Sequence, residues 1–178
     1  LHPGDIVVLS EKMVAITQGR GYPIQNIKPS RLAYILSRFV VKSPYGIGLG
    51  SPWTMELAIR EAGKPRILLA AVVSAVCKLF GIKGVFYRIC GQTIAAIDGP
   101  CSYTLPPYNQ WAVLAPENPQ AVAEELSRHL QTELAIIDAN DLGVAILGSC
   151  LQTLSITDLC ELLRDNPLGQ SKEQTPIG

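Results

Sequence analysis

The chain has 178 residues, of which 48% are hydrophobic and 17% charged, and its 15 Lys and Arg balance its 15 Asp and Glu. A sequence this apolar with no net charge falls outside the disordered class, and its length suits one domain with a sizeable core. Without a basic excess, a protein that binds nucleic acid through the phosphates is not expected. The charge-poor surface favours self-association, which indicates a homodimer.

The first third of the sequence predicts two strands followed by two helices. Residues 6–9 and 14–16 are short apolar runs that predict strands. A helix is predicted to begin at Ser30, since the apolar residues that follow keep helical spacing. The next helix is predicted to have Ser51 as its N-cap, with a proline at its first position, and to end at Gly63.

The middle of the chain predicts a long helix and then further strands. Residues 67–80 indicate a buried helix that Gly81 ends, although an apolar run alone does not exclude a strand. Residues 85–89 and 93–97 are strand-like runs on either side of a glycine, which predicts a hairpin. Residues 111–114 predict one more strand.

The last third alternates between helices and strands. Asn118 is expected to begin an amphipathic helix, and residues 134–137 and 143–148 predict strands. Ser155 and the aspartate three residues later resemble a capping box, which predicts a last helix that ends near Pro167.

These elements together predict an α+β fold with mixed or antiparallel sheets and packed helices. The irregular alternation of helices and strands does not match a regular βαβ array. We expect residues 1–168 to form a single domain and the polar residues 169–178 to form a frayed tail.

Cysteine usage and apolar runs bear on the compartment. The five cysteines are widely spaced and contain no CxxC pair, so zinc knuckles and dithiol redox sites are not supported. Reduced thiols in the cytoplasm are the simplest interpretation. The longest apolar run, residues 67–77, is shorter than the roughly 20 residues that a membrane span needs, and no signal peptide is evident. We therefore expect a cytoplasmic protein without a membrane partner.

The most chemical feature of the sequence is a set of three aspartates. Asp98 and Asp138 each end an apolar run, and Asp141 follows shortly after the second. Carboxylates at the ends of neighbouring strands can converge, and oxygen ligands suit hard cations such as Mg²⁺. Alternatively, Asp98 in residues 98–100 and Asp141 with Asn140 are turn formers, because Asp and Asn side chains bond their own backbone there.

A second feature combines glycines with a helix start. Gly46, Gly48 and Gly50 precede Ser51, so backbone N–H groups could approach a substrate anion at the helix N-terminus. The same glycines could instead serve close packing of the backbone. Lys12 could reach a phosphate or extend into solvent along its apolar stem.

Four segments resemble the coenzyme F-420:gamma-glutamyl ligase family. Residues 4–14 read GDIVVLSEKMV and look like the opening motif of that family. AID at 96–98, VLAPENP at 113–119 and AIID at 135–138 are similar to three later motifs, in the same order and at matching intervals. The resemblance covers most of the chain, and residues 44–91 look like a shorter, ligase-like branch.

This resemblance implies a metal-dependent amide ligase that works as a homodimer. In the family, GTP activates a carboxylate as an acyl phosphate, and the amine of L-glutamate attacks it with Mg²⁺ or Mn²⁺ bound. By position, Asp98 would be a metal ligand, with Asp138 or Asp141 as the second. Lys12 would lie near the nucleotide phosphates, with Ser10 and Glu11 beside it.

Three departures from the family pattern leave another function open. Ile16 stands where the family has a second lysine, and Cys101 stands where it has an asparagine. Residues 141–144 replace an arginine-containing segment. The alternative is a non-catalytic module that binds a small molecule or a metal but has lost nucleotide turnover.

Overall fold

The computed structural model describes residues 2, 4–40, 48–82, 84–101, 106–140, 143–164 and 177. The fold is α+β, as predicted, and the chain divides into two compact units, Leu1–Gly19 with Pro116–Gly178, and Arg20–Ala115. The single domain over residues 1–168 stays a prediction. Of the expected tail at 169–178, the described part is Ile177, whose backbone bridges to Leu9.

The helices and strands of the described residues are, in chain order, β1 Ile6–Ser10, α1 Glu11–Thr17, β2 Gly21–Pro23, α2 Arg31–Ser37, α3 Pro52–Ala62, α4 Lys64–Leu79, α5 Val85–Cys90, α6 Gln92–Ala95, β3 Trp111–Val113, α7 Pro119–Leu130, β4 Glu133–Asn140, β5 Gly143–Cys150 and α8 Ile156–Arg164. Short 3₁₀ turns occupy Ile24–Asn26, Gly48–Gly50 and Tyr108–Gln110.

The first unit is built on a three-stranded sheet in the order β1-β4-β5. β1 runs parallel to β4, and β5 is antiparallel to β4. Successive side chains of a strand point to opposite faces, so the apolar residues of β1 and β4 supply two cores. Val7, Leu134 and Ile136 pack with α7, whereas Val8 and Ala135 pack on the other face with α8.

The strand predicted for residues 14–16 is wrong. These residues belong to α1, which begins directly after β1, and Val14 and Ala15 are buried on its inner face. A three-residue apolar run fits either a strand or one turn of a helix, and here packing of α1 against β1 and β4 decides. Lys12 therefore lies in the first turn of a helix and not between two strands.

The second unit is mainly helical. Its strands β2 and β3 form an antiparallel pair in which Gly21 lies opposite Val113. The core of this unit includes Leu49, Met55, Ile67 and Ile94, contributed by a 3₁₀ turn and three helices.

The hairpin predicted for residues 85–97 is also wrong, because the segment forms helices α5 and α6. Gly84 and Gly91 flank α5 with φ of 76° and 97°, values that favour glycine and separate two short helices. The β-branched and aromatic residues that suggested strands pack instead onto the core of the second unit, where Ile94 is buried.

The helix predicted for residues 67–80 forms as α4, but its prediction as a buried helix is wrong, because Ile67 and Ala70 are buried whereas Val72 and Leu79 are exposed. The remaining predicted elements agree with the structure. Ser30 and Ser51 cap α2 and α3 with their side chains, and Gly63 ends α3. The capping box at Ser155 forms, because its hydroxyl accepts the Asp158 N–H and donates to the Asp158 carboxylate. The predicted end of this helix near Pro167 lies outside the described residues. Among those residues, no helix combines the length and the apolar character that crossing a membrane requires.

Candidate functional site

Several of the predicted site residues lie at one edge of the sheet in the first unit. In the parallel pairing of β1 with β4, Ser10 lies opposite Ile137, so Asp138 is the next residue along β4. α1 begins at Glu11, directly after the last residue of β1, so Lys12 lies near the same end of the sheet as Asp138. The carboxyl ends of parallel strands are where open α/β sheets commonly bind ligands. This edge is the candidate site of the first unit.

The polar side chains at this edge are partly withdrawn from water. Ser10, Glu11, Lys12 and Asp138 are all half-buried. Glu11, Lys12 and Asp138 each take part in a hydrogen-bonding or electrostatic interaction. Glu11 and Asp138 directly follow the paired residues Ser10 and Ile137, and Lys12 is the next residue after Glu11. Their roles with metal and phosphate stay predictions.

Asp98 belongs to the second unit. Its backbone bridges to Val113 through two hydrogen bonds of 2.9 Å, and its Oδ1 accepts the Gly99 N–H at 3.1 Å. The side-chain bond is of the kind that the turn-forming alternative predicts. Asp98 is half-buried, and its Oδ1 stabilises the turn through the bond from Gly99. Its function as a metal ligand stays a prediction.

The glycine segment leads into a firmly capped helix. Gly48–Gly50 form a 3₁₀ turn around the buried Leu49, and the Ser51 hydroxyl accepts the Thr54 N–H at 3.2 Å. The Ser51 and Thr54 hydroxyl oxygens also lie 2.8 Å apart in a hydrogen bond. The Ser51 side chain thus caps α3. The expected anion site stays a prediction, and Gly46 lies outside the described residues.

The carboxylates suit a hard cation by their chemistry. Asp98 and Asp138 offer oxygen donors, and Mg²⁺ commonly binds one or two protein carboxylates together with substrate phosphates. Within the described part of the chain, no group of three or more His, Cys, Asp and Glu side chains could hold a metal ion. Asp141 lies outside that part.

Arg20 has a structural role that the sequence did not indicate. Its Nε donates to the Ala115 carbonyl at 2.6 Å, and its Nη2 forms an ion pair with Glu61 Oε1 at 2.5 Å. Its own carbonyl accepts the Leu114 N–H at 3.0 Å. These partners are distant in sequence, so no local spacing pattern could reveal them. Arg20 joins β2 to the chain after β3 and to α3.

A cleft of about 460 Å³ in the second unit was not predicted from the sequence. Its volume falls within the range of small-molecule sites. The lining combines two aromatic side chains with one cationic group and consists of Ile24, Gln25, Ile27, Lys28, Pro29, Tyr34 and Trp53. A smaller cleft of about 320 Å³ shares Gln25 with it and extends towards Trp111.

Glu56 holds the beginning of α2 beside this cleft. Its carboxylate accepts the Ser30 N–H at 2.9 Å and pairs with Arg60 Nε at 3.0 Å. Burial raises the pKa of this carboxyl, but the bonds from Ser30 and the Arg60 charge outweigh burial, so the pKa lies below its ordinary value. Glu56 is therefore ionised at neutral pH and fixes the helix that carries Tyr34.

The cysteines show no sign of nucleophilic chemistry. All five are free thiols, as the sequence predicts. Burial raises the pKa of the Cys90 thiol despite the nearby Arg66 charge, so Cys90 stays protonated.

The sequence was compared with protein families and with curated proteins. The profile of the F420-0:Gamma-glutamyl ligase family matches residues 1–158 of the chain, which confirms the resemblance found in the sequence. No curated protein gives a significant match. Because the family match covers well over half of the chain, the chain belongs to the F420-0:Gamma-glutamyl ligase family.

Proposed function

We propose that this protein is an amide ligase that uses a divalent cation and a nucleoside triphosphate, GTP by family resemblance. The observation that carries the proposal is the position of Lys12 and Asp138 at one sheet edge, within a chain of gamma-glutamyl ligase type. Family membership implies a small-molecule substrate. The acceptor that receives the amino acid stays open.

The proposed reaction has two steps. An oxygen of the substrate carboxylate attacks the terminal phosphorus of the nucleotide, and nucleoside diphosphate leaves. The amine nitrogen of an amino acid then attacks the acyl carbon. An amide bond forms, inorganic phosphate leaves and the amine loses a proton. Electrostatic stabilisation and positioning supply most of the catalysis in such phosphoryl transfers.

Each candidate residue receives a role that fits its chemistry. Lys12 contacts the nucleotide phosphates through its ammonium group, with Ser10 and Glu11 beside it where β1 passes directly into α1. Asp138 and Asp98 are each proposed as ligands of a divalent cation, Mg²⁺ or Mn²⁺, and Asp141 is the alternative to Asp138. When bound, the cation neutralises phosphate charge and favours the charge that develops during transfer.

The 460 Å³ cleft of the second unit is a further candidate for the carboxylate substrate. Lys28 supplies positive charge there, while Tyr34 and Trp53 offer apolar surface. We also propose that the protein acts as a homodimer in the cytoplasm. The homodimer is supported by the family resemblance and by the low content of charged residues.

Titration calorimetry with Mn²⁺ and GTP tests the ligand assignment. We expect wild type to bind both, with Asp98→Asn and Asp138→Asn each weakening Mn²⁺ by about tenfold or more. Each aspartate is replaced separately because the two residues belong to different units. Glu125→Gln, at an exposed carboxylate of α7, is the matched control and should bind as wild type does.

Two results would count against the proposal. Wild type that binds neither Mn²⁺ nor GTP would exclude a nucleotide-dependent ligase. Binding of both without release of phosphate, across a broad panel of carboxylates and amines, would favour the non-catalytic module that Ile16 suggests.

A further inference from the structure

Helix α4 directs most of its large apolar side chains outwards. Leu68, Leu69, Val72, Val76 and Leu79 are between 44% and 85% exposed. Phe80 and Ile82, which follow the helix, are also exposed. We call these seven residues the outer face of α4. Exposed apolar residues scattered singly are common, but a contiguous apolar face on a soluble protein usually marks an interaction site.

The side of α4 that faces its own unit has one large apolar residue, Ile67, beside smaller ones. Ile67 and Ala70 are buried there, and Ser74 and Cys77 are half-buried on the same side. A surface helix normally buries its large apolar stripe and exposes polar residues. The reversed arrangement in α4 indicates that its outer face is covered by another molecule.

The outer face follows the spacing of a helix that packs against another helix. Leu68, Val72, Val76 and Leu79 are separated by four, four and three residues, which places them on one stripe. The stripe is nearly symmetrical about Val72, since Leu68 and Val76 lie four residues on either side of it. A stripe of this kind can meet a copy of itself across a two-fold axis.

The apolar stripe of α4 contains no charged residue of its own. Lys64 lies about 80° around the helix from Val72, and Arg66 and Lys78 lie about 120° from it, at about 100° per residue. Residues 64–97 contain no Asp or Glu. The stripe itself is therefore uncharged, and contact between two copies brings no ionised group into its centre.

The area of the outer face fits a dimer interface. At about 150 Å² for a fully exposed large apolar side chain, the seven exposed fractions amount to roughly 650 Å². Specific interfaces begin at about 600 Å² on each partner. One α4 face therefore offers enough surface for a small specific interface.

We infer that α4 of one protomer packs antiparallel against α4 of a second copy, with the two-fold axis at Val72. Antiparallel packing brings Leu68 opposite Val76 of the partner subunit and sets the helix dipoles in opposite directions. This inference rests on the proposed homodimer and assigns the surface that forms it. It is independent of the metal and nucleotide residues.

The test uses complementary charges at the axis. Val72→Asp and Val72→Lys each place like charges opposite each other, so each variant alone should raise the dimer dissociation constant by about 100-fold or more. An equimolar mixture of the two should restore a dimer in light scattering after size-exclusion chromatography. Leu130→Asp, at an exposed leucine of α7, is the matched control and should remain dimeric.

Restoration by mixing separates a lost interface from a lost fold, since misfolded variants would not rescue each other. The pair Leu68→Asp with Val76→Lys should likewise form a mixed dimer, because antiparallel packing brings these positions together.

Three results would overturn the inference. A wild type that is monomeric would exclude it together with the homodimer. Dimeric Val72→Asp would place the interface elsewhere and leave the homodimer standing. Monomeric wild type that binds vesicles of anionic phosphatidylserine would assign the outer face to a lipid surface.

Discussion

The two units of the chain treat their apolar surface differently. In the first unit, both faces of the sheet are covered, by α7 on one side and α8 on the other. In the second unit, α4 buries Ile67 and Ala70 and leaves Leu79 and most of its other large apolar side chains exposed. In the first unit, the alternating apolar residues of the strands are buried within the chain. In the second unit, the apolar stripe of α4 can be buried only by contact with another molecule.

The two units also differ in the candidate functional residues that they carry. The first unit places Lys12 and Asp138 just beyond the paired stretch of β1 and β4, on a sheet fixed by packing on both faces. The second unit contributes Asp98, the capped start of α3 and an open cleft. A rigid sheet edge suits precise charge positions, whereas a cleft between loops and helices suits substrate selection.

The largest stability effect is expected at Gly148, where α7 approaches the sheet. A Cβ at this position would lie 2.4 Å from the carbonyl carbon and oxygen of Pro119. Gln120 also bonds the Ser149 backbone at 2.9 and 3.0 Å, so α7 cannot move away without losing these bonds. Gly148→Ala should cost about 3 kcal/mol in urea unfolding.

The control for this substitution is Ala145→Ser, because Ala145 is exposed on the same strand. It should change stability by less than about 0.5 kcal/mol. Equal stability of Gly148→Ala and wild type would contradict the close packing of α7 on β5.

A smaller effect is expected at Glu56 in the second unit. Its carboxylate bonds Ser30 and Arg60, so Glu56→Gln should lower the free energy of unfolding by about 1–2 kcal/mol at pH 7. Since the folded pKa lies below the unfolded one, the ionised form stabilises the fold fully above the unfolded pKa. The difference between wild type and Glu56→Gln should therefore shrink as the pH falls through the folded pKa.

Denaturation at pH 7 and at pH 3 measures this dependence. Glu161→Gln, at an exposed position of α8, should show little change at either pH. A difference for Glu56→Gln that grows on acidification would have the wrong sign.

The smallest effect is expected at Lys28 in the cleft. Lys28→Gln should raise the KM for the carboxylate substrate by up to about fivefold and leave kcat unchanged, because exposed charge pairs contribute only about 0.2–1 kcal/mol. Arg38→Gln, which removes an exposed charge at the end of α2, is the control. Equal KM values for Lys28→Gln and Arg38→Gln would show that the cleft does not bind the carboxylate substrate.

Local signals in the sequence predicted much of the fold. The caps at Ser30, Ser51 and Ser155 are formed by residues three positions apart, so the sequence predicted where these helices begin. β4 could be predicted because its apolar run is long enough to separate it from the turns around it.

The failures have a physical cause in tertiary packing. Residues 14–16 and the segment of α5 have the composition of strands, yet both pack as helices. Lys12 and Asp138 lie at the same end of the sheet because β1 pairs with β4, although these two strands are far apart in the sequence. The apolar runs pointed to Asp138 and Lys12 as candidates, and the family resemblance assigned their roles, which stay predictions. The ion pair of Arg20 with Glu61 had no local signal at all.

The most direct test of the central claim follows an oxygen atom. Carboxylate substrates labelled with ¹⁸O are supplied with Mn²⁺, GTP and L-glutamate, and the inorganic phosphate is analysed by mass spectrometry. Activation of the carboxylate predicts that one labelled oxygen passes into phosphate, and that Lys12→Gln reduces this transfer. Phosphate whose new oxygen comes only from water, or no phosphate from any substrate, would contradict a ligase.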